Sequence, residues 1–97
     1  MFSQCYGFTS IDFTNFDASK AKNMSYMFHN CNNSKIINLT NTKTSSNLRD
    51  MRYMFSGCIS LNSLDLNNFI TFNVINMYKL FNNCKKITTI IYLISVH

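Results

Sequence analysis

The chain has no proline, no tryptophan and only two glycines, Gly7 and Gly57, in 97 residues. The residues that usually punctuate loops are therefore nearly missing. Acid is scarce as well: Asp12, Asp17, Asp50 and Asp65 face nine Lys and Arg, for a net charge of +5. No run is apolar enough to span a membrane as a helix. The longest, Ile87 to Val96, is interrupted by Thr88, Thr89 and Ser95. No basic start precedes an apolar region, so no signal peptide is visible in this chain. No Ser/His/Asp set and no Gly-rich phosphate loop can be drawn, so no enzyme is expected.

What is present argues for a folded domain. Hydrophobic residues make up 46% of the chain, with nine Phe and five Tyr, which excludes the composition of a disordered segment. Fifteen Asn stand where Gly and Pro are short, and Asn is the side chain that best tolerates left-handed backbone. The basic residues are scattered along the chain, so a solvated basic surface is expected and no nucleic-acid partner.

The dominant feature is a repeat. MSYMFHNC at 24–31, MRYMFSGC at 51–58 and MYKLFNNC at 77–84 align, and a truncated copy, MFSQC, opens the chain. The cysteines Cys5, Cys31, Cys58 and Cys84 mark a step of about 26 residues, with one extra residue in the second unit within Asn41 to Asn47. Downstream columns agree: Phe8, Ser34, Leu61, Ile87; Ile11, Ile37, Leu64, Ile90; Phe13, Leu39, Leu66, Tyr92; Phe16, Thr42, Phe69. The units run about 1–23, 24–50, 51–76 and 77–97 and form one domain, read as part of a longer array.

Each unit reads as a short helix followed by a short strand. Asn23, Asp50 and Asn76 precede each Met and are natural helix caps. Met24, Met27, Phe28 and Cys31 have i, i+3, i+4, i+7 spacing, which predicts one buried helical face about two turns long. The following block alternates, which predicts a parallel strand with Ile37 and Leu39, or Leu64 and Leu66, facing in. The expected fold is an α/β repeat solenoid, leucine-rich-repeat-like, with one short parallel strand and one short helix in each of about four units.

Four cysteines, one per unit, lack the close pairs of a metal site, so they read as a buried core ladder without disulfides. Helical turns stacked about 8–10 Å apart would hold neighbouring cysteines beyond bridging distance. His29 and His97 share no ligand spacing, His29 reads as solvated, and no metal or cofactor is expected. Ligand contact would fall on the outward ladders: Asp12, Asn38 and Asp65; Thr14, Thr40 and Asn67; and, on the helix face, Tyr26, Arg52, Tyr53, Tyr78 and Lys79.

The order Asn-Met-x-x-Met-Phe-x-x-Cys-x-x-Leu-x-x-Leu-Asp-Leu-x-x-Phe, best kept in 51-MRYMFSGCISLNSLDLNNF-69, resembles the BspA-like leucine-rich-repeat surface proteins. Such repeats also occur in lipoproteins of mycoplasma-type bacteria. The resemblance implies a cell-surface or secreted module that binds protein or glycan in adhesion, with no catalytic residues. A structural spacer in a longer array and an intracellular interaction scaffold are the alternatives. Ser34, Thr42 and Ile91 depart from the pattern and read as a decayed or edge unit. Ile91 and Ile94 leave an apolar edge, which predicts edge-to-edge self-association through the C-terminal unit.

Overall fold

The strands of the structure fall at one recurring position of the repeat, the block that follows each Cys column. The computed structural model describes residues 7–92, with side chains described to residue 88. Strand β1 is Ser10–Asp12, β2 is Ile36–Asn38, β3 is Ser63–Leu66 and β4 is Thr89–Tyr92. β1 pairs with β2 in parallel, Ile11 opposite Ile37, and β3 pairs with β4, Leu64 opposite Ile90. Ile11, Ile37, Leu64 and Leu66 are buried, and Asp12, Asn38 and Asp65 between or beside them are exposed. The alternation read in the sequence is thus the inside–outside alternation of these strands.

No helix forms among the described residues, which overturns the α/β solenoid with a helix in each unit. The chain folds instead as a small, compact sheet domain in which equivalent residues of successive repeats lie over one another. Segments 25–30, 52–57 and 78–83 are runs of tight turns. Their backbone shows why. Met24, Tyr26, Phe28 and Asn30 donate their amides across to the carbonyls of Asp50, Arg52, Met54 and Ser56, at 2.8–3.0 Å. Met51, Tyr53, Phe55 and Gly57 donate likewise to Asn76, Tyr78, Leu80 and Asn82. The amides between them close local turns, His29 on Tyr26, Cys31 on Phe28, Ser56 on Tyr53 and Cys58 on Phe55.

A two-turn helix would have left four amides and four carbonyls orphaned, nearly its whole complement. Alternating cross-repeat and local bonds satisfy the same groups and tie each repeat to the next. The alternation needs left-handed backbone at two columns. Tyr26, Tyr53 and Lys79 have φ of 61°, 56° and 51°, and Asn30, Gly57 and Asn83 have 59°, 78° and 60°. Asn15 and Asn41 form a third such pair after β1 and β2, at 64° and 57°. No α-helix can run through these positions.

Asn23, Asp50 and Asn76 do accept the amides two residues on, Ser25, Arg52 and Tyr78, at 2.8–3.1 Å. They act as Asx turns that launch the turn run rather than as helix caps. Direct backbone bonding also replaces the expected 8–10 Å layer spacing with the spacing of paired strands, near 4.8 Å. The rings report it: Phe28 stacks on Phe55 at 5.5 Å and Phe55 on Phe81 at 5.7 Å.

Met24, Met27, Phe28, Cys31, Met51, Met54, Phe55 and Cys58 are all buried, with Leu48, Leu61 and Phe69 completing the core. Ser34 and Thr42 do not mark a decayed unit. Both are fully buried, and their hydroxyls donate to the carbonyls of Phe8 and Phe13 in the preceding repeat, at 2.9 and 2.7 Å. A polar side chain there exchanges apolar filling for a bond between repeats.

The extra residue of the second unit lies at Lys43–Thr44. Asp17 bridges Lys43, 26 residues on, whereas Asn23 bridges Asp50, 27 on. Buried Thr44 absorbs the insertion: its hydroxyl accepts the Ile70 amide at 2.8 Å and donates to the Ile70 carbonyl at 3.4 Å.

A Cβ on Gly57 would come within 2.1 Å of Asn30 Oδ1 and 3.3 Å of Asn30 Cα. The amide oxygen can swing away; the backbone angle cannot be relieved so easily for a branched side chain. Gly57→Val is expected to cost about 1–3 kcal/mol, and Gly57→Asn less, since Asn30 and Asn83 already hold this conformation. Urea denaturation of the two variants checks the order.

The expectations for Met1, Phe2, Cys5, Ile94, Val96 and His97 lie outside the described residues.

Candidate functional site

Two outward surfaces carry the ladders singled out in the sequence. On the strand surface, Asp12 accepts the Thr14 amide at 2.9 Å, Asn38 the Thr40 amide at 3.0 Å, and Asp65 the Asn67 amide at 2.8 Å. Asn38 also accepts the Thr40 hydroxyl at 2.7 Å. Asp12 and Asn38 stand opposite one another across the β1–β2 pair, and each of the three side chains has one oxygen engaged in the turn that ends its own strand. The Thr14 hydroxyl and then its amide hold the Asp12 carboxyl below its ordinary value; Ser19 does the same for Asp17, helped by Lys43 and Lys20. Stability from these two groups is present above their unfolded values and is lost as pH falls through the folded ones. Asn15, Asp17, Asn41 and Lys43 line a shallow open depression beside this surface.

The turn surface is different in kind. Tyr26 and Tyr53 stack at 4.8 Å with their planes 11° apart. His29 meets Tyr26 edge-on at 5.2 Å and Tyr53 at 6.1 Å, and Tyr78 meets Tyr53 at 5.6 Å. Lys79 Nζ lies over the Tyr78 ring, 5.4 Å from its centroid. Tyr26 and Tyr78 remain 42% and 58% exposed, so the cluster is a surface stripe and not core. Arg52 lies beside it, its Nε 3.2 Å from Asp50 Oδ2. The structure therefore brings Tyr26, Arg52, Tyr53, Tyr78 and Lys79 together, and adds His29, which is half-buried among the rings rather than solvated.

Lys22 and Arg49, two of the scattered basic residues, share a column, since the Arg49 amide donates to the Lys22 carbonyl at 2.9 Å. The repeat step, applied to the basic residues as it was to the apolar ones, would have revealed that pairing.

Cys31, Cys58 and Cys84 are free thiols in one ladder. The Cys58 thiol donates to the Phe28 carbonyl at 3.1 Å and the Cys84 thiol to the Phe55 carbonyl at 3.0 Å, each in the preceding repeat. The contact with the Cys31 thiol, and then burial, pushes the Cys58 thiol far above its ordinary value; burial raises Cys84. Among the described residues no group of three His, Cys, Asp or Glu could hold a metal ion. No helix among them is long and apolar enough to cross a membrane.

Fold and stripe together define a tandem-repeat sheet domain that displays ordered side-chain ladders. Residues 1–96 match the family described as Mycoplasma protein of unknown function, DUF285, and the chain belongs to that family. No curated protein and no solved structure matches the chain.

Proposed function

We propose that the chain is a non-enzymatic module for adhesion, displayed on the cell surface, that contacts a protein partner through the tyrosine stripe. The backbone at Tyr26 and Tyr53 carries this reading. Both residues sit in left-handed conformation, at φ 61° and 56°. That conformation costs a non-glycine residue about 1–2 kcal/mol. The other left-handed columns are filled by Asn15 and Asn41, and by Asn30, Gly57 and Asn83, the residue types that tolerate it most readily. Bulky aromatics at such a position are retained for something other than stability, and contact with a partner is the use to which exposed Tyr is best suited.

Tyr26 and Tyr53 turn one face to each other, and His29 and Tyr78 meet Tyr53 at near right angles. Clustered, partly exposed Tyr side chains of this kind are favoured at contacts between proteins. Family membership and the order of the repeat motif support a finer kinship with BspA-like surface proteins, and with it the surface location.

The test pairs Tyr26→Asn with Tyr53→Asn. Asn keeps the left-handed turns, so the loss of stacking and the relief of strain should leave stability within about 1 kcal/mol of the parent. Adherence of beads coated with the chain to immobilised host-surface proteins should fall about 30-fold, the effect of losing a contact hot spot. Asp12→Ala with Asp65→Ala should leave adherence unchanged. Equal adherence of the tyrosine variant and the parent would sink the proposal.

A further inference from the structure

Columns that are buried in the middle of the stack are open at its two ends. Met51 is 1% exposed, and Met77, in the same column one repeat on, is 46% exposed. At the other end Phe8 and Phe16 are 59% and 43% exposed, whereas their counterparts Leu61 and Phe69 are fully buried. Both ends therefore carry apolar residues of the kind that lie between repeats elsewhere, where a capped stack would carry polar ones. β1 pairs with β2 and β4 with β3, so among the described residues each end also has a free strand edge.

The two ends differ in polarity. A trans peptide group points its amide and its carbonyl in opposite directions. In the turn runs the bonds between repeats all run one way: the Met24 amide donates to the Asp50 carbonyl, and the Met51 amide to the Asn76 carbonyl. The last row ends these lines. The amides of Met77, Lys79, Phe81 and Asn83 donate to no acceptor among the described residues, so this end is a row of donors. Toward the other end, the carbonyls of Asn23 and Ser25 face the opposite way and meet no described donor. Peptide dipoles aligned along such lines add, as they do along a helix, with positive potential at the amide end.

We infer that a second copy of this chain seats its Phe8 end on the Met77 end of the first, in a head-to-tail stack. Within the chain, Met51, Phe55 and Cys58 are covered by another repeat with the same columns, the row at 77–84. Met77, Phe81 and Cys84 repeat that surface and fit the same kind of cover. Polarity fixes the direction, because joining like ends would set donors against donors or carbonyls against carbonyls. The association expected from Ile91 and Ile94 thereby gains a second surface and an orientation. A head-to-tail contact of this kind does not close on itself, so copies add in an open series. The tyrosine stripe runs along the flank and stays free for its own partner, so the two proposals stand or fall separately.

Sedimentation velocity on the full 97-residue chain tests this. The average mass should rise with concentration and pass that of two chains. Met77→Lys and Phe8→Lys should each weaken association by at least about 100-fold, because the lysine would be buried in the contact without a partner. An equal mixture of these two variants should form pairs and stop there, since each keeps one working end. Ile36→Lys sets the same charge on the flank, on exposed Ile36 of β2, and should leave association unchanged. Circular dichroism verifies that the variants are folded, with Met77→Gln or Phe8→Gln replacing one that is not. A parent chain that stays monomeric, a mixture that forms no pairs, or an equal loss in Ile36→Lys would overturn the inference. So would a parent that stops at two chains and responds to only one of the end variants, the pattern of a contact between like ends.

Discussion

Replacing Phe55 with Ala should lower stability by about 3–5 kcal/mol. Phe55 is fully buried and lies between two rings, Phe28 at 5.5 Å and Phe81 at 5.7 Å, each nearly parallel to it. Its removal leaves a ring-sized void in the middle of the stack and breaks both aromatic contacts at once. The surroundings cannot collapse to fill the void, because the Phe55 amide and the Phe28 amide are both pinned by backbone bonds to the following repeat. A domain of this size has about 5–15 kcal/mol in total. The variant should therefore unfold at much lower urea, or fail to fold at physiological temperature. An unchanged midpoint would contradict the stacked register of the repeats. Phe72→Ala serves as the comparison: Phe72 is exposed, and its loss should move the midpoint little.

The second large effect is alkaline. The Cys58 thiol is held protonated in the fold by its contact with Cys31 and by burial, whereas in the unfolded chain it ionises near its ordinary value of 9.0. A group whose folded pKa is raised contributes stability that is complete below the unfolded value and is lost as pH rises above it. Above about pH 9 the loss from Cys58 should approach 1.4 kcal/mol per pH unit. Cys84 shifts in the same direction and adds to it. Urea titrations from about pH 8 to about pH 10.5 measure the slope. Cys58→Ala should flatten it, because the unfolded chain then has one proton fewer to release. A parent protein equally stable across that range would contradict the buried, protonated ladder.

Much of the interior was legible in the sequence. The recurrence of Met, Phe and Cys named Met24, Met27, Phe28 and Cys31 as inward-facing, and they are buried. The alternation at Ile37, Leu64 and Leu66 gave strands, and parallel ones, while Leu39 is buried just past the end of β2. The helix was misread for a definite reason. Spacing reports which side chains point inward; it does not report where the backbone amides go. A run of tight turns linked laterally to a neighbour brings the same residues to one face as a short helix does. The discriminating signal lay in the Asn30, Gly57, Asn83 column, since Asn and Gly alternating at one position indicate left-handed backbone. Tyr26 and Tyr53 gave no such warning, because Tyr is a rare occupant of that conformation.

The candidate site was legible in part. Tyr26, Arg52, Tyr53, Tyr78 and Lys79 were picked out as outward-facing and do form one surface. Their mutual stacking was not foreseeable, since helical layers would have set the rings too far apart to touch. Nor could Ser34 and Thr42 be understood from their columns alone: their value lies in acceptors one repeat away, at Phe8 and Phe13.

The inserted residue at Lys43–Thr44 has a kinetic consequence. Repeats that share the same columns can pair out of register, with one row seated two rows from its proper neighbour. Such a shifted arrangement would bury similar apolar surface and so compete with the native one while the chain folds. The odd row breaks the degeneracy. Thr44 finds both its acceptor and its donor only on Ile70, and the offset changes from 26 to 27 residues at that point alone. A slipped chain would part Thr44 from Ile70 and forfeit both of those bonds. One irregular residue in an otherwise periodic chain thus acts as an index mark, letting near-identical rows find their own places during folding.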